Sequence, residues 1–413
     1  MIIKVKRKLP GSIFNMLTIG LIREEKIPAD NRVAFTPSQC KWIQNNFKVK
    51  IIVQHSLHRC FTNREYTLAG IEVKEDVAEC DILMGIKEVP VKSLIPDKIY
   101  FIFSHTKKLQ PQNKKLLQAI IKNKITLIDY ECLEHEDGKR ILGFGFFAGI
   151  VGAHNGIMAY GKRTGTFHLD RVNSQKDFRH LIHTYFGLKL PDIKIAVTGS
   201  GRVAHGVLEI MNLMGIHETE PDLFLEKKFS YPAYVHLKGA DLYANKKTGR
   251  YNREQFHTNP EKYKNLFKNY IAATDILMNG VYWEKNIPRL FEMEDLKDKK
   301  FNIQTIADIS DDRNGSVPCN IGDSTIEQPV YGVDKKTFKI TGPYLPGSVD
   351  VMAVGNLPNE LPRDASRYFG EQIIKYILKD IIKGSSPILK KATIIKKGKL
   401  TQAYQYMKDY ASL

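Results

Sequence analysis

Cysteine is scarce in this chain: Cys40, Cys60, Cys80, Cys132 and Cys319 are scattered through 413 residues, odd in number and nowhere closely paired. That spacing argues against a disulfide framework and against a zinc site, and it favours a reducing, cytoplasmic setting with no metal. Acidic side chains are also in deficit, 45 against 62 basic ones, for a formal charge of +17. A basic excess invites a nucleic-acid reading. The lysines are dispersed, however, and the densest runs, Lys4 to Lys8 and Lys390 to Lys399, lack the interleaved aromatics of a base-stacking surface. No nucleic-acid partner is expected; a solvated lysine-rich surface would instead draw anionic substrates and dinucleotides. Residues 1–15 lack the apolar core of a signal peptide. Long uncharged runs are absent but for Ile141 to Tyr160, which holds five glycines with His154 and Asn155. It reads as a buried connection between domains, so no membrane partner is expected. There are no internal repeats.

What is present fits a two-domain globular protein: 43% hydrophobic and 26% charged residues over a length too great for one ordinary core. Short β-like runs alternate with helical patterns. Met16 to Leu21, Val49 to Gln54, Asp81 to Ile86, Tyr100 to Ser104 and Ile125 to Asp129 read as strands. Thr36-Pro37 opens one helix, and Asn113 to Asn123 forms another. Beyond the Gly-rich segment, Ile193, Ile195 and Val197 alternate into Gly199-Ser200-Gly201, a helix follows from Val203 to Met214, and Ala272 to Val281 and Phe301 to Ile309 supply later strands. The polar stretch Ala244 to Tyr270 is too long for a turn and reads as a helical insertion or lid. In the tail, Asp364 can cap an amphipathic helix that Gly384 ends.

Gly199-Ser200-Gly201-Arg202-Val203-Ala204 fits G-x-G-x-x-(G/A) between a strand and a helix, the context in which that turn cradles a dinucleotide pyrophosphate. An acid about 20 residues on would hold the ribose; Glu218, Glu220 and Asp222 are candidates, while Lys227 and Lys228 suit a 2′-phosphate, so NAD and NADP both stay open. In the first domain Lys87, His105 and Glu131 each fall just past the carboxyl end of a strand, the edge at which open α/β sheets bind ligands. Singly, each reads as a surface lysine, a structural histidine and a cap partner; together they make an acid–base set. Asp311-Asp312 follows a strand of the second domain and either faces the nicotinamide or begins a turn with Asn314-Gly315.

Several segments in order carry a resemblance: IREEKIPADNRVAFTP, GIKEVP, IFSHTKK, LIDYECLEHEDGKRILGFGFFAGIVGA, VTGSGRVAHG, MNGVYWEKNIPRL, ADISDDRNGS, STIEQPVYG and GNLPNELPRDASRYFG. From about residue 16 to about 385 the chain resembles lysine-ketoglutarate reductases, the L-lysine-forming saccharopine dehydrogenases, which are relatives of alanine dehydrogenase and the transhydrogenase dinucleotide domain. YWEKNIPRL, IEQPVYG and the polar insertion look like the reductase half of the bifunctional lysine-degrading enzyme.

The resemblance implies an α/β fold of two Rossmann-like, doubly wound parallel-sheet domains with the active site in the interdomain cleft. Residues 16–150 and 358–413 would form the substrate domain and 151–357 the dinucleotide domain, the chain crossing near Gly149 and returning near Leu357. It implies that Arg32 and Lys108 bind substrate carboxylates and that Lys87 and His105 are the acid–base pair, with Glu88 and Glu131 tuning it. Gly199, Ser200, Gly201, Arg202, Val203, Asp312, Asn356 and Leu357, with Pro358 beside them, would meet NAD or NADP. The implied activity is NAD(P)H-dependent imine reduction, interconverting lysine plus 2-oxoglutarate and saccharopine. The alternatives are an ammonia-using amino-acid dehydrogenase and a non-enzymatic basic dinucleotide- or nucleic-acid-binding protein. One departure stands out: where the family pattern has an arginine after the glycine of EHEDGKR, this chain has Lys139 before Arg140. Oligomeric state is not legible.

Overall fold

The computed structural model describes residues 16–322 and 324–412. The Lys4 to Lys8 run, with the rest of the basic N-terminal segment, lies outside the described residues. The chain divides into two compact units, one formed by Met1–Gly143 with Pro362–Leu413 and one by Phe144–Leu361.

The first unit begins β1 (Leu17–Leu21), α1 (Pro37–Asn46), β2 (Val49–Gln54), α2 (Asn63–Leu68), β3 (Glu72–Lys74), β4 (Ile82–Met84), β5 (Ile99–Ile102), α3 (Lys114–Lys122) and β6 (Thr126–Asp129). Helix α1 starts where the sequence places it. Thr36 and Gln39 form a reciprocal capping box, with Pro37 at the first helical position. The strands pair in parallel as β6-β5-β4-β1-β2-β3. Ile51, Ile52 and Val53 in β2 and Leu83 and Met84 in β4 have no exposed surface, the continuous burial expected when helices cover both faces of a parallel sheet.

The second unit contains α4 (Gly145–Thr164), α5 (Phe178–His183), β7 (Lys194–Thr198), α6 (Arg202–Leu213), β8 (His217–Glu218), α7 (Pro221–Glu226) and β9 (Ala233–Leu237). The polar insertion follows as a two-stranded antiparallel hairpin, β10 (Tyr243–Asn245) and β11 (Tyr263–Asn265), enclosing the short α8 (Arg253–Thr258). It is therefore part strand, not purely helical, closed over Tyr243, Phe256 and Tyr263. Strands β12 (Ile276–Asn279), β13 (Thr305–Asp308), β14 (Val330–Asp334), β15 (Ile340–Thr341) and β16 (Ser348–Met352) complete an eight-stranded sheet ordered β15-β14-β16-β13-β12-β7-β9-β8. Its core is parallel, and β14 and β15 are antiparallel additions at one edge.

The uncharged segment after Ile141 holds the passage from the first unit to the second, at Gly143 to Phe144. Most of it is α4, a core helix of the second unit, which runs on to an αL cap at Gly165. Its glycines exist for packing. A Cβ on Gly149 would lie 2.0 Å from the Val203 carbonyl oxygen, and one on Gly206 of α6 would lie 2.0 Å from that of Phe146. Only glycine allows two helix backbones so close. The contact fixes α6, and with it the end that faces the glycine turn. Among the described residues no helix is long and apolar enough to cross a membrane.

The chain then returns to the first unit as α9 (Pro362–Tyr376), α10 (Leu378–Lys383), α11 (Pro387–Ala392), β17 (Thr393–Lys396), β18 (Lys399–Leu400) and α12 (Lys408–Ala411). The single tail helix expected from periodicity is broken at Ile377. Asp364 lies inside its first turn, where it pairs with Arg367 at 3.4 Å, while Gly384 ends α10 in the αL conformation. The lysine-rich stretch is structural. β17 pairs antiparallel with β6, and β18 folds back on it, so this sheet is mixed as well.

Candidate active site

Four adjacent parallel strands of the first unit, β1, β4, β5 and β6, deliver ionisable groups at one edge. Glu24, Lys26, Asp30 and Arg32 follow β1, Lys87 and Glu88 follow β4, His105 follows β5 and Glu131 follows β6. Parallel pairing points all four carboxyl ends the same way, so residues far apart in sequence are gathered there.

Arg32 is buried, and Asp30 grips it through two bonds, Nε to Oδ1 at 2.9 Å and Nη2 to Oδ2 at 2.5 Å. Burial alone would raise the Asp30 carboxyl; the Arg32 charge and its hydrogen bonds prevail and hold it at about 2. Glu24 clasps the turn that carries the candidate lysine. The N–H groups of Ile86 and Lys87 donate to its two oxygens at 2.5 and 2.9 Å. Burial, with the Asp30 charge adding to it, raises Glu24 to about 8. Lys87 is brought down to about 8, first by burial and then by the Arg32 charge, with Asp30 pulling the other way.

Glu88 stands between two cations. Its Oε1 lies 2.6 Å from Nδ1 of His105, and its Oε2 accepts from Lys26 Nζ at 2.9 Å. Burial would raise it, but these bonds hold it at about 2. An ionised carboxylate only accepts, so Nδ1 of His105 carries the proton and Nε2 is the nitrogen left for exchange. His105 sits at φ +49°, a left-handed backbone that a non-glycine residue holds only under constraint. Phe103 stacks on its ring at 6.2 Å, and the His105 carbonyl accepts from Asn113 Nδ2 at 3.2 Å. A depression of about 400 Å³ opens here, lined by Lys26, Glu88, His105, Gln110, Gln112 and Asn113.

The remaining candidates of this unit lie around that cluster. Glu131 is buried and pairs with Arg140 at 2.8 Å, its own N–H capped by Asp129 at 2.7 Å. Lys108 is exposed. Lys139 pairs with Asp137 on the surface, and Arg140 holds the Glu131 carboxylate. Sequence reading missed Glu24, Lys26 and Asp30, three charges in a loop whose composition looks like ordinary surface.

In the second unit, the carboxyl ends of β7, β12, β13 and β16 again share an edge. Gly199 turns at φ +105°, and a side chain there would meet the Gly280 carbonyl at 2.6 Å. Among the described residues nothing lies within 4 Å of a Cβ on Gly201, and no side chain caps the first turn of α6. An open cradle of backbone N–H groups at the positive end of a 12-residue helix fits a dinucleotide pyrophosphate. Ser200 is exposed, Arg202 and Val203 are half-buried, and Ala204 is fully buried under the turn.

A buried relay, also unforeseen, braces this edge. Thr198 Oγ1 donates to Asn279 Oδ1, Asn279 Nδ2 to Asp308 Oδ1 and Asn320 Nδ2 to Asp308 Oδ2, each at 2.8 Å. Asp312 is half-buried and begins a turn, its carbonyl accepting from Gly315 N–H at 2.8 Å. It is Asp311, at φ +52°, whose carboxylate lies against Gly355, next to Asn356 and the buried Leu357 and Pro358. The acids expected on the strand after α6 do not reach the glycine turn, because β8 is the outermost strand and β9 takes the place beside β7. Among the described residues no group of His, Cys, Asp and Glu could hold a metal, and all five cysteines are free thiols.

Residues 20–151 match the family model described as alanine dehydrogenase/PNT, N-terminal domain. The chain is 28% identical over 453 residues to the mitochondrial alpha-aminoadipic semialdehyde synthase of Bos taurus, covering 98% of this chain and 49% of that one. It thus spans about half the length of that relative. It is 25% identical over 398 residues to a saccharopine dehydrogenase [NAD(+), L-lysine-forming] of Yarrowia lipolytica, covering 90% and 94%. Among solved structures, an L-alanine dehydrogenase superposes with a TM-score of 0.62 at 16% identity, over 96% of this chain and 100% of that one. A transhydrogenase from Sinorhizobium meliloti gives 0.60 at 14%, over 93% and 100%. These two share the fold: two α/β units, each built on a mostly parallel sheet.

Proposed function

We propose that this chain, a relative of lysine-forming saccharopine dehydrogenases over most of its length, is an oxidoreductase that interconverts L-lysine plus 2-oxoglutarate and saccharopine. The observation that carries the reading is the Lys26–Glu88–His105 chain beside a Lys87 brought down to about 8, at one sheet edge. Imine chemistry needs such groups, since a carbonyl oxygen must be protonated and lost while an amine is deprotonated.

The ε-amine of lysine attacks the ketone carbon of 2-oxoglutarate, giving a carbinolamine that loses water to an imine. Lys87, near the middle of its titration at neutral to mildly alkaline pH, takes the proton from the attacking amine. His105, through Nε2, protonates the departing hydroxyl, and Glu88 stabilises the cationic ring and fixes its orientation. Glu24 positions Lys87 through its backbone, while Glu131 orders the adjoining turn. Arg32, held by Asp30, and Lys108 supply positive charge for substrate carboxylates. The Gly199–Val203 turn, with Asp312, Asn356 and Leu357, holds the dinucleotide. When a reduced nicotinamide dinucleotide is bound, the chemistry it supplies is hydride transfer. The name of the Yarrowia lipolytica relative specifies NAD(+), which supports NAD binding and leaves the 2′-phosphate of NADP to be decided at the ribose end of the site.

The test is oxidation of NADH or NADPH, followed at 340 nm, with L-lysine plus 2-oxoglutarate and, in parallel, with pyruvate plus ammonia. Turnover that requires both lysine and 2-oxoglutarate is the expected result. Turnover with pyruvate and ammonia alone would replace this reading by an alanine-dehydrogenase activity, which the shared fold also accommodates.

A further inference from the structure

The strand order of the second unit relocates the ribose end of the dinucleotide site. In a doubly wound sheet the ribose is read at the carboxyl end of the strand next to the one that enters the glycine turn. Here that neighbour is β9, not β8. β9 runs parallel to β7 with Leu237 opposite Thr198. Beyond that pair the Gly199 N–H donates to the Leu237 carbonyl at 3.1 Å, and the His236 ring lies 2.7 Å from the Gly199 carbonyl oxygen. Glu218, in contrast, is level with Tyr234 on the far side of β9. That is three residues, or about 10 Å, short of the carboxyl edge, and two strand spacings, again about 10 Å, from β7. Its carboxylate accepts from the Tyr234 hydroxyl at 3.0 Å and lines, with Lys227, Lys228 and Tyr231, an outer depression of about 620 Å³.

What does stand at the edge is the turn Lys238–Asp241. Lys238 is exposed, and its N–H donates to Asp241 Oδ2 at 3.1 Å. Gly239 turns at φ +51°, and a Cβ there would lie 3.2 Å from the ring of Tyr251. Tyr251 belongs to the insertion and packs on Phe256 and Tyr263 at 5.6 and 6.0 Å, so the insertion buttresses this turn. We propose that the Lys238–Asp241 turn reads the adenosine ribose of the dinucleotide, with the Lys238 ammonium meeting a 2′-phosphate, and that Glu218, Lys227 and Lys228 take no part. The inference rests on the dinucleotide reading of the glycine turn and names the residue that discriminates between the two nucleotides.

The experiment measures the dissociation constants of NADH and NADPH by nucleotide fluorescence at one low ionic strength, on the full chain and on Lys238→Glu, Glu218→Gln and the double variant K227A/K228A. All four positions are exposed, and thermal melting checks that each variant folds. Lys238→Glu should weaken NADPH at least tenfold relative to NADH, leaving NADH within threefold, while the other variants leave the ratio unchanged. An unchanged ratio in Lys238→Glu, or a ratio moved by Glu218→Gln or K227A/K228A, would overturn the proposal, as would a parent chain that binds NADH but not NADPH. A parent chain that binds neither nucleotide would overturn the dinucleotide reading itself, and this inference with it.

Discussion

Asp30→Asn would remove the negative half of a buried ion pair and take the Asp30 charge away from the Arg32 guanidinium, which is 3% exposed. Two routes bracket the magnitude at roughly 2–5 kcal/mol. Breaking a buried pair by deleting one partner costs roughly 3–5 kcal/mol. Holding a carboxyl at about 2 in place of its ordinary value near 4 is worth roughly 2–3 kcal/mol at neutral pH. The urea midpoint should therefore fall by on the order of 1 M at a typical denaturant slope. The sign with pH follows from the same pair. The folded-state value lies below the unfolded one, so the contribution is complete above about pH 4 and is lost as pH falls towards 2. Parent and variant should thus converge in acid. Asp30 also raises Lys87, so its removal lets Arg32 press the lysine further below 8, and the midpoint of the pH–rate profile assigned to Lys87 should move to lower pH. The double variant Asp30→Leu with Arg32→Met should regain much of the stability, though not the affinity for substrate carboxylates. An Asp30→Asn chain with an unchanged urea midpoint and an unmoved pH–rate midpoint would refute the account of this pair.

Three further outcomes follow from the geometry. Gly206→Ala in an open helix would stabilise by about 1 kcal/mol, but the Cβ would lie 2.0 Å from the Phe146 carbonyl. Calorimetry should show a loss of about 1–3 kcal/mol, and a gain would mean that α4 and α6 are not in backbone contact. Glu88→Gln takes the anion from both His105 and Lys26 and should lower kcat roughly 10²- to 10³-fold with little change in circular dichroism; a loss seen only in KM would place Glu88 outside the proton path. Lys87, at about 8 in the folded chain against an ordinary 10.5, penalises folding while protonated, so its contribution to stability should improve as pH rises from about 8 to 10.5. Lys87→Met should abolish that rise, together with the rate midpoint near pH 8, in paired stability and activity titrations.

The sequence revealed local pattern well and long-range arrangement poorly. Val49–Gln54 and the Thr36 cap were readable because burial period and capping chemistry are written in adjacent residues. Lys87, His105 and Glu131 were readable because parallel strands send their following residues to a common edge, whereas Glu88 was implied by the family resemblance alone. Glu24, Lys26 and Asp30 were not, since nothing in IREEKIPADNR separates a charge that turns inward from one that faces water. Spacing of about 20 residues from the glycine turn pointed to Glu218, Glu220 and Asp222 for the ribose acid, but strand order is decided by how whole elements pack, and it puts β8 outermost. That most of Ile141–Tyr160 is helix was hidden for a related reason: glycine counts against a helix by propensity and in its favour only when a partner backbone is known.

The discontinuity of the first unit bears on how the chain is made. Strand β6 finds its outer neighbour in β17, with Ile128 paired to Thr393. During translation the whole of the contiguous second unit emerges between those two strands. At ordinary elongation rates the first unit waits roughly 15–50 s with the margin of β6 uncovered. An uncovered strand margin is a template for intermolecular pairing. The nascent chain therefore passes through an interval of aggregation risk, one that closes only when the Thr393–Leu400 hairpin leaves the ribosome.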